Sequence, residues 1–318
     1  MDSAGVVRRA VADFAAAHLA GPDVCVGLSG GADSLALTAG AVGAGLDVTA
    51  LIVDHGLQPG STQVAAAAAR TAESLGARVR ILPVRVGWRG GLEAAARDAR
   101  YAALEQARDG RPVLLGHTAD DQAETVLLGL ARGSGSRSIA GMRPWNRPWG
   151  RPFLGVRRHQ TLAACTEMGL EPHHDPHNRD PRFTRVRLRA EVLPLLDDVL
   201  QGGVVDALGR TADGLRADND ALDEWAARVL AEAGRGDVLE IAPLRDAPPA
   251  VRTRALRAWL LDVGATEPTH RVISAVAALL DRTGAAGDRT QVAVGGDPAV
   301  RRVVVRRGET LTVRLTER

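Results

Sequence analysis

The chain has 318 residues, 45% hydrophobic and 25% charged, which excludes a disordered chain and suits two globular domains. No apolar run is long enough to span a bilayer and only two cysteines are present, which excludes a transmembrane helix and a disulfide scaffold and makes a reducing cytoplasm the expected compartment. Forty basic residues against 38 acids leave a net charge of +2, so the placement of charge, not its sum, has to indicate a partner.

In chain order, the N-terminal MDSAGVVRRAVADF carries acids and no apolar segment, so it reads as no signal peptide. Residues 23–28 read as a short buried strand, 34–44 as a helix and 47–53 as a second strand. Ser61 caps an alanine-rich helix ending near Gly76. Residues 78–85 form a third strand that Pro83 confines to an edge or shortens. A helix over 92–108 closes at Gly110, 112–116 is a fourth strand, and 120–131 is helical. Strands alternating with helices imply a doubly wound parallel sheet, an α/β domain whose ligands sit beyond the strands' carboxyl ends. Residues 133–160 have no clean period and read as a long loop or several turns. After Gln201-Gly202-Gly203 the pattern changes: helices over 204–233, 250–262 and 269–281, then strands at 290–294 and 300–315, the last a hairpin turning at Arg307-Gly308-Glu309. The chain therefore divides into a catalytic domain, 1–200, and a smaller α+β domain, 201–318.

The first strand runs into Ser29-Gly30-Gly31-Ala32-Asp33-Ser34. Paired glycines let the backbone approach a ligand closely, and the amides opening the next helix attract anions. Ser29 and Ser34 offer hydroxyls to phosphate oxygens, and Asp33 makes sense beside phosphate if Mg²⁺ bridges them. The bland alternative is a tight turn with Asp33 or Ser34 as helix cap. No lysine occurs, so no Walker A loop is present and arginine alone can neutralise phosphate. The hexapeptide resembles the signature of the PP-loop ATP pyrophosphatases, which cleave ATP between its α- and β-phosphates.

Three further groups follow strands or sit on one helical face. Asp54 and His55 end strand two, where a simple turn cap competes with a site role. Arg97, Arg100 and Tyr101 share one helical face, where a solvated Glu93–Arg97 pair is the simpler reading and an arginine facing the triphosphate is the functional one. The densest group is His117, Thr118, Asp120, Asp121 and Glu124 around one helix start. Thr118 and Asp121 fit a capping box, yet so many acids together call for a cation, either Mg²⁺ held by Asp33 and Asp120 or a substrate ammonium.

SGGADS (29–34), VDHGL (53–57), EAAARDARY (93–101), GHTADDQAETVLLGLARGSG (116–135) and DPHNRDPRFTRVRLRAEVLP (175–194) together resemble the tRNA(Ile)-lysidine synthetases. The resemblance covers about the first 200 residues; the C-terminal part matches only in size and type. Gln58 and His177 depart from the residues commoner there. The resemblance implies that ATP activates the C2 oxygen of the anticodon cytidine in a CAU-anticodon isoleucine tRNA, and that free lysine then displaces AMP. It implies that residues 29–34 grip pyrophosphate, with Asp54, His55 and Arg97 as further nucleotide contacts. Asp33, His117, Asp121 and Glu124 become the catalytic candidates, and the proton acceptor stays open among the last three. A homodimer is left open.

An acid-free stretch from Thr125 to Thr166 holds Arg132, Arg137, Arg143, Arg147, Arg151, Arg157 and Arg158, which fits an RNA partner, with Trp145 or Trp149 stacking on unpaired bases. Arg182, Arg185, Arg187 and Arg189 form a second basic cluster, on either a strand edge or a helix, and Arg301, Arg302, Arg306 and Arg307 give the C-terminal hairpin a tRNA-gripping face. The competing readings are a PP-loop tRNA 2-thiolase, a small-molecule amide ligase and a non-catalytic RNA-binding protein. Thiolation is disfavoured because Cys25 and Cys165 form no paired motif and read as core residues.

Overall fold

The computed structural model describes residues 2–56, 60–87, 91–133, 135–175, 180–266, 268–281, 290–296 and 300–317. Gln58 and His177 lie outside the described residues, as does the side chain of Glu93. Two compact units divide between Leu215 and Arg216, inside one long helix and beyond the boundary expected at 200.

The first unit begins with a helix to which the sequence reading assigned no element. In α1 (Ser3–His18), Asp2 accepts from the Gly5 amide at 2.8 Å, and Val7, Val11 and Phe14 are buried on one stripe. Next come β1 (Asp23–Gly27), α2 (Ala32–Gly43), β2 (Asp47–Asp54), α3 (Ser61–Ser74), β3 (Arg78–Pro83), α4 (Leu92–Ala107), β4 (Val113–Leu115) and α5 (Ala119–Ala131). The stretch expected as loop holds α6 (Ser136–Ile139), β5 (Trp145–Asn146), β6 (Trp149–Gly150) and the start of α7 (Arg158–Glu167). The sheet order is β3-β2-β1-β4-β6-β5, parallel except for the β5–β6 hairpin. β3 takes the edge that Pro83 requires.

Alternation along β1 fixes the layers. Val24 and Val26 join the core built with α1, α2, α3 and α7, while Cys25 faces Leu104 and Ala107 of α4. Each wholly buried valine contributes about 1.5–3 kcal/mol over an exposed one. Chain order reverses direction across the sheet at β1, whose neighbours are β2 and β4, and the crevice past their carboxyl ends is where such sheets take ligands.

The segment with two open readings is helical: α8 (Thr184–Arg187), a widened π-type turn over Leu188–Val192, and α9 (Leu193–Val199). Pro194 cannot donate into the preceding turn and its ring crowds that turn's carbonyl, which accounts for the widening. The helix α10 (Val204–Ala233) follows.

The second unit contains β7 (Val238–Glu240), α11 (Ile241–Asp246), α12 (Pro249–Asp262), α13 (His270–Ala277), β8 (Gln291–Gly296), β9 (Val300–Arg307) and β10 (Thr310–Glu317). Its antiparallel sheet runs β7-β10-β9-β8 over a core centred on Trp259, Leu256 and Ile241. The basic face expected on its hairpin is smaller than the sequence suggested. Arg306 is buried and donates to the carbonyls of Leu279, Leu280 and Gly308, and Arg302 donates to Val263. These arginines hold the domain together: β9 is buried without a break from Val303 to Arg306, so the Arg306 guanidinium is carried inside and finds carbonyls there.

Candidate active site

The loop after β1 is shaped for an anion. Gly30 has φ +84°, which a side chain would strain, and Gly31 opens α2 with no side-chain cap. The amides of Ala32, Asp33 and Ser34 find no acceptor among the described residues. The hydroxyls of Ser29 and Ser34 lie 3.1 Å apart, and Ser34 Oγ donates to the Gly31 carbonyl at 2.9 Å. Neither hydroxyl nor carboxylate uses up the helix start, which leaves the amides for phosphate oxygens.

β4 delivers the second half of the site. A Cβ on Gly116 would stand 2.9 Å from the Asp33 carbonyl oxygen, so glycine lets the strand end touch the loop. Thr118 then caps α5 in a reciprocal box, with its amide and hydroxyl donating to Asp121 Oδ2 at 2.8 and 2.9 Å.

Arg158, at the start of α7, ties the two halves together. Its Nε donates to Asp33 at 3.2 Å and its Nη2 to Asp121 at 2.6 Å, while Nη1 is buried without a partner. Thr161 donates to Asp33 at 2.5 Å. Burial pushes the Asp33 carboxyl up, and Arg158 and Thr161 only partly offset it. Burial also pushes Asp121 up, but Arg158, the Thr118 amide and His117 outweigh it and hold the group below the usual carboxylate range. Glu124 is wholly buried, with Arg189 at 2.7 Å and Arg185 at 3.4 Å; burial raises its carboxyl and Arg189 counters. His117 is pushed down to about 3, first by burial and then by Arg151, Arg100 and Arg97, against the pull of Asp121. Its Nδ1 is buried and unpartnered.

Asp33, His117, Asp121 and Glu124 thus converge, but one expectation is corrected and another narrowed. Asp120 does not join Asp33: its oxygens accept from Arg157 at 3.3 Å and from the Arg158 amide at 2.8 Å, which occupies it with the start of α7. The carboxylate that shares the Arg158 guanidinium with Asp33 is Asp121. Among the described residues no group of three metal-ligating side chains forms. Trp145 and Trp149 are half-buried, and each gives part of its ring to neighbours within the domain. Trp145 stacks on His18 at 6.1 Å and meets Phe14 edge-on, and Trp149 meets Tyr101 edge-on at 4.8 Å.

Asp54 behaves largely as a cap. Hydrogen bonds from Ser61, the Gly56 amide and Thr62 hold its carboxyl low at the start of α3. His55 is pushed down by burial and then by Arg100, and its Nδ1 is unpartnered. Arg97 and Arg100 lie over the Tyr101 ring at 5.2 and 5.7 Å.

The basic stretch is partly internal. Arg157 and Arg158 answer Asp120, Asp33 and Asp121, and Arg185 and Arg189 answer Glu124. Arg187 pairs with Glu191 at 2.8 Å, Arg132 reaches Ser138 at 3.3 Å, Arg137 lies in the short α6, and the Arg143 carbonyl accepts from Arg151 at 3.1 Å. Arg158, Arg189 and Thr161 are the site residues whose roles sequence reasoning missed. The available signal was charge balance: three acids at 120, 121 and 124 directly precede the acid-free run.

Comparison with known proteins identifies the family of each part of the chain. The PP-loop domain family matches residues 6–196, and the TilS substrate binding domain matches 239–311. The chain is 58% identical over 312 residues to the tRNA(Ile)-lysidine synthase of Nocardia farcinica, covering 97% of this chain and 98% of that one. It is 57% identical over 317 residues to the synthase of Mycobacterium tuberculosis, covering 96% and 95%. Among solved structures, the tRNA thiolase NcsA of Methanococcus maripaludis aligns with a TM-score of 0.52 at 18% identity, over 66% of this chain and 78% of that one, a likeness of fold.

Proposed function

The chain belongs to the tRNA(Ile)-lysidine synthase family, and from that premise we propose that it is a ligase forming a carbon–nitrogen bond between free lysine and C2 of the wobble cytidine in a CAU-anticodon isoleucine tRNA. The carrying observation is the guanidinium of Arg158 shared by Asp33 and Asp121, which joins the anion-binding loop to the His117–Asp121–Glu124 group.

The cytosine C2 oxygen attacks the α-phosphorus of ATP and pyrophosphate leaves. The unpaired amides at 32–34 and the Ser29 and Ser34 hydroxyls receive the phosphate oxygens. Mg²⁺ fits the hard oxygen donors of Asp33 and Asp121, and when bound it would neutralise phosphate charge. The lysine ε-amine then attacks C2 and AMP leaves. A base must take the amine's proton, and His117 is the candidate with a free Nδ1; burial weakens it as a base, and Asp121 beside it works against that by stabilising the imidazolium as it forms. Glu124, neutralised by two arginines, holds α8 and the π-type turn against α5. Arg132, Arg137, Arg143 and Arg187 serve the RNA as phosphate contacts, in a cytoplasmic reaction. No helix among the described residues is long and apolar enough to cross a membrane.

The thiolation alternative suits the cysteines poorly. Both are buried, and burial pushes Cys165 up to about 11, far from a reactive thiolate. The test is transfer of labelled lysine to a CAU transcript with ATP and Mg²⁺, beside a transcript whose anticodon cytidine is changed. Label in the first RNA alone is the expected result. ATP cleavage to AMP with no label would discard lysine or this RNA as substrate.

A further inference from the structure

Asp33 is the second residue of α2, and an acid in the first turn of a helix is ordinarily drawn to the free amides of that turn. Here it is held away from them. Its Oδ1 accepts from the Thr161 hydroxyl at 2.5 Å and its Oδ2 from Arg158 Nε at 3.2 Å, both on α7. The amides of Ala32, Asp33 and Ser34 are left with no acceptor among the described residues. Arg158, Thr161 and Cys165 stand at i, i+3 and i+7 on one face of α7. That face lies along the start of α2, where the Cys165 thiol also reaches the Ala32 carbonyl at 3.4 Å. Thr161 is wholly buried. Its hydroxyl has one hydrogen and two acceptors in reach, Asp33 and, at 2.8 Å, the carbonyl of Arg158. The carboxylate is the nearer and the charged one, so it takes the hydrogen. A threonine that had only to satisfy itself would donate to its own helix's carbonyl instead.

We infer that Thr161 is a positioning residue: it holds the Asp33 carboxylate off the start of α2, so that the three amides stay open to the phosphates of ATP. This rests on the reading above that the loop receives the nucleotide. Arg158 does not suffice for the task, because its guanidinium is divided between Asp33 and Asp121 and meets Asp33 at Oδ2. Without the hydroxyl, Oδ1 loses its one donor among the described residues. The unpaired amides of its own turn are then the donors to which the carboxylate turns. A carboxylate seated there takes the place of one phosphate oxygen and repels the others.

The experiment is calorimetric titration of ATP into the full chain, once with EDTA and no metal and once with Mg²⁺. Wild type, Thr161→Val, Thr161→Ser, Asp33→Ala and the double variant of Asp33→Ala with Thr161→Val are compared, with folding checked by circular dichroism. Without metal, Thr161→Val is expected to weaken ATP binding about tenfold, the scale of a charge-assisted hydrogen bond. Thr161→Ser keeps the hydroxyl and is expected to bind as wild type does. In the Asp33→Ala background the valine is expected to change nothing, because the competing carboxylate is gone. Thr161→Ala takes the place of the valine variant if that one does not fold. An equal loss in both backgrounds, the mark of a merely structural role, or no loss in either, would overturn the inference. Wild type that binds ATP only with Mg²⁺ overturns this inference alone, since open amides then do not hold phosphate by themselves. Wild type that binds ATP under neither condition overturns the nucleotide reading together with it.

Discussion

Asp33 and Asp121 lie at the starts of different helices, yet they share one guanidinium, 3.2 Å from the first and 2.6 Å from the second. Two partly buried carboxylates this close repel unless a cation sits between them, and the chain has no lysine to supply it. Arg158→Gln removes that cation and frees Asp33 to rise further. Pyrophosphate release with tRNA present should fall by about 10²–10³-fold, the scale of losing one positioned charge in a phosphoryl-transfer site. An undiminished rate would show that Arg158 only braces the fold.

His117 links the site to acid stability. Its folded pKa of about 3 lies below the ordinary 6.5, so between those values the unfolded chain binds a proton that the folded chain refuses. Stability contributed this way is present above pH 6.5 and lost as pH falls toward 3. At pH 4.5 the loss is on the order of 3 kcal/mol. His117→Asn should flatten the wild-type decline between pH 6.5 and 4.5 in urea titrations. Asp33 and Glu124, both raised, act in the opposite sense, but they are common to both proteins and drop out of the difference.

Gly116→Ala tests the contact between strand end and loop. The added methyl would meet the Asp33 carbonyl oxygen at 2.9 Å and its carbon at 3.0 Å, both backbone atoms that cannot rotate away. Overpacking of this kind costs about 1–3 kcal/mol, and here it displaces the start of α2. ATP affinity should fall more than the thermal midpoint does, as read by nucleotide titration and calorimetry on the same sample.

The buried Glu124 depends on its two arginines. Arg189→Gln leaves the carboxylate with Arg185 alone, at 3.4 Å, and should cost about 2–3 kcal/mol in urea unfolding. Adding Glu124→Gln to that variant should recover part of the loss, because a neutral amide needs no counter-charge. A double-mutant cycle with no coupling would remove Glu124 and Arg189 from one network.

The strands β1 to β4 were legible because each ends in a turn signal, whereas β5 and β6, two residues each, are too short to carry a period and fall in the stretch read as loop. The helix over 204–233 and the turn at Arg307-Gly308-Glu309 are where the pattern places them. The loop residues were legible because Gly30 and Gly31 follow a strand. The unreadable part was pairing across distance. Nothing local distinguishes Arg158, which crosses to Asp33, from Arg187, which pairs with its own helix neighbour Glu191. Helix α1 shows its apolar period only in Val7, Val11 and Phe14, set among alanines and charged residues that give no further local signal. Asp120 and Asp121, adjacent in sequence, point apart because neighbouring helical residues are about 100° apart around the axis.

The bonds from Arg158 and Thr161 to Asp33 span 125 and 128 positions. On the ribosome, the loop that leaves the exit tunnel among the first elements therefore waits for α7 before its carboxylate is fixed. A nascent chain halted between β6 and α7 holds every strand of the first sheet and lacks the arginine that balances its two acids. Completion of the nucleotide site is thus timed by synthesis of a segment that contributes nothing to the sheet.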